Sequence, residues 1–194
     1  MRKTIFTVMV LCMGLVSACE QTYVPQKPQI NFGGTPYVLN VATINIVEDY
    51  RSSKELPNVE KLADITPAEA VRQWAAARLV AGGKTGYAEV VIDDAHIIRK
   101  ELPKQKTGIE GYFTSEQTEE YDGALEVEIK IYDERHTLPV ASIHVTSGSS
   151  RTIGENATLV DRSNTYHDIS VELIKLLETE LDKNIRQHFT NYIL

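Results

Sequence analysis

Asp93-Asp94-Ala95-His96 sets two carboxylates and an imidazole within four residues. Brought together, such groups ligate a metal ion or pass protons as general acid and base. Neighbours in a regular strand point to opposite faces, so Asp93, Asp94 and His96 converge only through a bulge; a polar strand end is the plainer reading. Glu119-Glu120 with Asp122 is a second acidic group, placed where a hairpin tip would leave it solvated. The stretch 146–158, TSGSSRTIGENAT, offers hydroxyls, two glycines and Arg151 to an anion. It lacks the G-x-x-x-x-G-K-[ST] spacing that makes a phosphate loop, and no G-x-S-x-G supplies a nucleophile elbow. A surface loop is the reading for residues 146–165.

The elements that must position these residues follow from periodicity. Residues 39–48 are rich in β-branched side chains and read as a strand. Residues 51–65 form a charged loop. Over 66–83, Thr66 is the N-cap, Pro67 the first helical residue and Glu69 completes a capping box, with Gly82-Gly83 as the stop. Trp74 sits at helical spacing with Val71 and Arg78, a core position. Ala88, Val90 and Ile92 alternate and Ala95 and Ile97 resume out of phase, which predicts a bulge around Asp93-Asp94. Residues 108–121 and 124–134 read as strands joined by an Asp122-Gly123 hairpin turn. In the second, Leu125, Val127, Ile129 and Ile131 face one way and Glu126, Glu128 and Lys130 the other. A further strand follows over 138–147. Residues 167–192 form a long helix with Ile174, Leu177, Leu181, Ile185, His188 and Tyr192 on one apolar stripe.

The order β-α-β-β-β-β-α with antiparallel hairpins predicts an α+β fold: a two-layer sandwich with a mostly antiparallel sheet, helices on one face and the other face polar. The free sheet face and the amphipathic last helix would then be partner surfaces. His96, His136, His144, His167 and His188 are scattered, and His188 reads as a core-edge residue rather than a ligand.

The chain has 194 residues, 20 Lys+Arg against 27 Asp+Glu and a net charge of −7. An acidic chain without a basic cluster repels a phosphate backbone, so nucleic acid is not an expected partner. Both cysteines, Cys12 and Cys19, lie near the start. Residues 1–18 read as a secretory signal: basic Arg2 and Lys3, an apolar run from Ile5 to Val16, then small residues. That run is shorter than the ~20 residues needed to span a bilayer. If the chain is cut before Cys19, Cys12 leaves with the leader, and neither an intramolecular disulfide nor a cysteine-based metal site is then possible.

Val16-Ser17-Ala18-Cys19 resembles the lipobox of bacterial lipoproteins, with Val16 where leucine is commoner. The resemblance implies cleavage before Cys19, a diacylglycerol on its thiol and a fatty acid such as palmitate on its amine. It makes acylated Cys19 the membrane anchor. Glu20 in place of aspartate implies the outer membrane, on its periplasmic face. Residues 19–37 read as a tether that, as a flexible coil, spans ~25 Å. Residues 38–194 are expected to form a single domain. The order of elements over 38–192 looks like small α/β lipoproteins that assist envelope transport or assembly. That likeness implies a non-enzymatic accessory or binding module for another envelope protein or a lipid-like ligand; the residues themselves give no expectation of a cofactor, metal or catalytic group. The alternatives are a structural lipoprotein linking membrane to cell wall, and an envelope hydrolase or metal-dependent enzyme using Asp93, Asp94 and His96.

Overall fold

The computed structural model describes residues 28–103 and 117–194. The leader, Cys19 and the start of the tether lie outside the described residues, as does most of the strand read over 108–121.

At the start of helix α1, Pro67–Arg78, Thr66 is the predicted N-cap, its Oγ1 accepting the Glu69 backbone N–H at 3.1 Å, and Pro67 occupies the first position, while the Glu69 carboxylate meets Arg72 at 3.1 Å. Its Ala70, Val71 and Trp74 are fully buried. The helix ends four residues before Gly82, where Leu79 turns extended and opens strand β3, Leu79–Ala81. Gly82-Gly83 is therefore not the helix stop. A Cβ on Gly83 would strike the backbone of Asn40 and Val41, so this glycine permits close approach of two chains. β3 runs parallel to β1, Tyr37–Leu39.

The main sheet has the order β2-β4-β5-β6: Thr43–Glu48, Tyr87–Glu101, Gln117–Tyr132 and Ala141–Gly154. β2 pairs parallel with β4, and the other pairs are antiparallel. The α+β class and the mostly antiparallel sheet stand as expected. The element order differs in three places, one being the added short strand β3 between α1 and β4. The first predicted strand divides at residues 40–42 into β1 and β2. Asp122-Gly123 is no turn but the middle of β5, with Gly123 opposite Ile97 and Ser149. The glycine is needed for packing, because a Cβ there would meet Ile169 and Leu173 of the helix above.

Residues 146–165 are likewise not a loop. β6 continues to Gly154, and helix α2, Leu159–His188, begins with Thr158 and Asp161 in a reciprocal capping box. At 1.5 Å per residue α2 is ~45 Å long. Ile174, Leu177, Leu181 and Ile185 are buried against Leu125, Val127, Ile129 and Ile131 in one core. The stripe continues through buried Phe189, four residues on from Ile185, and not through His188, which is exposed. The apolar face of this helix is thus spent on the core and is not a partner surface.

Three buried or half-buried polar anchors fix the periphery. Arg78, 2% exposed, meets Asp182 at 2.7 Å and Glu178 at 3.2 Å, and donates to the Thr35 carbonyl. Gln73 accepts the Ile30 N–H at 2.9 Å and donates to the Pro28 carbonyl, holding residues 28–30 on α1. Glu60, in a single 3-10 turn over Glu60–Leu62, accepts from Tyr50, Ser52 and the Ile97 N–H, which ties the charged loop to β4.

Candidate functional site

The helices cover one face of the sheet and leave the other open. The pairings of β4, β5 and β6 put Glu89, Asp94, Glu120, Asp122, Glu126 and Glu128 on that open face, with Lys100 and Lys130 as its lysines. The register shifts between Ile92 and Asp94, so the predicted bulge is present and Asp93 is its extra residue. The bulge turns Asp93 toward Glu126, Glu128 and Lys130.

The bulge does not make one site of Asp93, Asp94 and His96. Asp94 and His96, two apart on one strand face, bind each other: both carboxylate oxygens lie 2.8 Å from Nδ1. Asp93 instead joins residues of two other strands. One ligand atom each from Asp93, Glu126 and His144 lies within 4.8 Å of the others. His144 Nε2 stands 2.7 Å from Glu126 Oε1. Two carboxylate oxygens and one imidazole nitrogen are a donor set for a divalent ion of the zinc or manganese kind. Burial, then repulsion from Glu126 and Glu128, raises the Asp93 carboxyl above its ordinary range. Glu126 and His144 were legible only as outward residues of their strands, since nothing local in the sequence links them to Asp93.

The second acidic group divides by face. Asp122 pairs with Lys100 and Glu120 accepts from Ser150 on the open side. Glu119 points inward and is 7% exposed. Its carboxylate takes Arg99 at 2.8 Å through one oxygen, and Arg162 and the Tyr121 hydroxyl through the other. Arg162 also donates to the Tyr121 oxygen at 3.0 Å, and the Tyr121 and Tyr166 rings meet edge to face. Burial alone would raise the Glu119 carboxyl, but the Tyr121 hydroxyl and the guanidiniums of Arg162 and Arg99 outweigh it and hold the group below the usual carboxylate range. Burial, then the bond to Glu119, pushes the Tyr121 hydroxyl up. This cluster is not among the sites expected from the sequence. Its signal was the strand alternation continued backwards from Leu125, which puts Gly123, Tyr121 and Glu119 on the inner face.

Arg99, Arg162, Glu119 and Tyr121 floor a cleft of about 490 Å³ between the loop over 53–62 and the start of α2. Leu56, Leu62 and Leu159 stand at its rim. The anion-cradling reading of residues 146–158 fails for a plain reason: its groups have partners. Ser149 and Arg151 both bind Glu172, at 2.9 and 2.8 Å, and Ser147 donates to the Leu173 carbonyl, all on α2.

No family model and no curated protein matches the chain. Among solved structures, the fold is similar to that of a minor lipoprotein from Acinetobacter baumannii, at a TM-score of 0.43 and 10% identity, over 77% of this chain and 96% of that one. It is also similar to rare lipoprotein B from Shewanella oneidensis, at a TM-score of 0.41 and 8% identity over 75% and 97% of the two chains. For lipoprotein B from Nitrosomonas europaea the values are 0.34 and 12%, over 76% and 87%. The structural neighbours are thus bacterial lipoproteins, each a distant likeness.

Proposed function

We propose that the chain is a lipid-anchored lipoprotein of the bacterial envelope, held by acylated Cys19, whose folded domain is a non-enzymatic binding module for another envelope protein. The anchor is supported by the coincidence of Arg2 and Lys3, a short apolar run and Val16-Ser17-Ala18-Cys19. Among the described residues, no helix is long and apolar enough to cross a membrane. An outer-membrane address on the periplasmic side rests on Glu20.

The observation that carries the binding role is the open sheet face. Glu89, Asp93, Asp94, Glu120, Asp122, Glu126 and Glu128 crowd it against Lys100 and Lys130, half-exposed and uncovered by either helix. Like charges on neighbouring strands are unfavourable in the free protein and become favourable opposite a basic surface. The partner is therefore a protein with a basic docking patch, such as a component of envelope transport or assembly.

Site-specific photocrosslinking in intact cells tests this. Photoreactive residues at Glu89, Glu128 and Ser142 should trap one partner of defined mass, whereas probes at Lys175 and Lys183 on the outer face of α2 should not. Equal yields from both faces, or none from the sheet face, would overturn the reading.

A further inference from the structure

The cleft on the other side of the molecule has a different chemistry from the open face, and its two halves do not match. Its floor is cationic. Arg99 and Arg162 share the one carboxylate of Glu119, which leaves a guanidinium charge in excess among the cleft-lining groups. Glu101 meets Arg99 at 3.5 Å, but from outside, with its side chain 84% exposed. Among the described residues the Arg99 Nε, buried from solvent, has no hydrogen-bond partner.

The rim is apolar and wet. Leu56 is 68% exposed, Leu62 64% and Leu159 83%, and all three edge this one cleft. Leucines this exposed are ordinary singly, but three around a single opening form a patch that a ligand would cover. A cationic floor under an aliphatic rim fits one kind of molecule at both ends.

We propose that this cleft binds an acyl-chain amphiphile with an anionic headgroup, the headgroup oxygens on Arg99 and Arg162 and the chain along Leu56, Leu62 and Leu159. Guanidinium forks recognise paired anionic oxygens through two parallel hydrogen bonds. The chain buries leucine surface that water now covers. The site does not depend on the open sheet face, so its test and that of the partner surface fail separately.

The test uses the full chain held in phosphatidylcholine nanodiscs and offered lysophosphatidylglycerol with a photoreactive acyl tail. Label is expected on peptides containing Leu56, Leu62 or Leu159, at about tenfold or more over lysophosphatidylcholine with the same tail. Arg162→Gln, which leaves Glu119 paired with Arg99 and removes the charge excess, should abolish that preference. Leu62→Gln with Leu159→Gln should cut labelling by about tenfold with the circular dichroism spectrum unchanged. Absent labelling would overturn the proposal. Equal labelling by the two headgroups, which marks simple contact with the bilayer, would overturn it as well. So would displacement of the probe by an equal concentration of inorganic phosphate, which would make the site one for the headgroup alone.

Discussion

Glu119 of β5 and Arg162 of α2 are in direct contact where the sheet meets the start of the long helix, with Arg99 on the other oxygen of the same carboxylate. The arrangement fastens the first turns of α2 to the sheet. Removing the carboxylate leaves two guanidiniums facing each other in a half-buried cleft. Glu119→Ala should therefore cost about 3 kcal/mol, at the low end of the range for breaking a buried pair because both arginines retain some water. Thermal denaturation should show Tm down by about 6–12 °C.

The same group sets a pH dependence. The folded state holds the Glu119 carboxyl below its unfolded value. Its stabilisation is therefore fully present above the ordinary glutamate range, near pH ~4.3, and is lost as pH falls through the depressed folded value. Urea titrations from pH 6 downward should show the wild type losing stability in that window faster than Glu119→Gln. Parallel pH profiles for the two proteins would contradict the assignment.

Gly123 separates the strand seen here from the hairpin turn that Asp122-Gly123 suggests. A turn glycine at a solvated tip accepts a side chain at the expense of backbone strain alone. In β5, a side chain at 123 runs into Ile169 and Leu173. Gly123→Val should be destabilising by about 1–3 kcal/mol through overpacking, although valine favours strands. The measurement is the urea midpoint, with exposed Thr152→Val as the strand-propensity control.

Asp93 is strained by its neighbours rather than supported by them. Its carboxyl is raised by burial and by Glu126 and Glu128, so the charged form is disfavoured in the folded state. Asp93→Asn should stabilise the protein at pH 7 by ~0.5 kcal/mol, a small gain because water screens the open face. The sign is opposite to that of Glu119. Wild-type stability gains as pH falls through the raised folded value toward the ordinary aspartate range, and the advantage of asparagine disappears there.

Local signals predicted this fold where the causes are local. Thr66 and Pro67 set the start of α1, and the break in alternation after Ile92 marked the bulge that the sheet contains. Signals failed where a distant residue decides. Asp122-Gly123 has turn chemistry, but the glycine is required by a helix 46 residues later, at Ile169. One local cause also lies outside the usual pattern: Thr158 and Asp161 form a capping box with aspartate in place of glutamate, and α2 begins there, eight residues before the predicted start at His167. His188 and Phe189 are adjacent, and only the phase set by Ile185 shows which enters the core. The candidate sites follow the same rule. Asp94 and His96 pair within one strand, while Asp93 finds Glu126 and His144 only through the order of three strands. Glu119, Arg99 and Arg162 come from three elements, and no spacing in the chain announces that they meet.

The proposed anchor makes residue 19 both the first residue of the mature protein and the point at which it is held. Mass spectrometry of the N-terminal peptide from the protein purified out of its own membranes tests this most directly. The expected result is a first residue at Cys19 carrying a thioether-linked diacylglycerol and an acylated amine, with Cys19→Ser released from the membrane fraction. A mature chain that begins at any other residue, or an unmodified Cys19 on a membrane-associated protein, would contradict it.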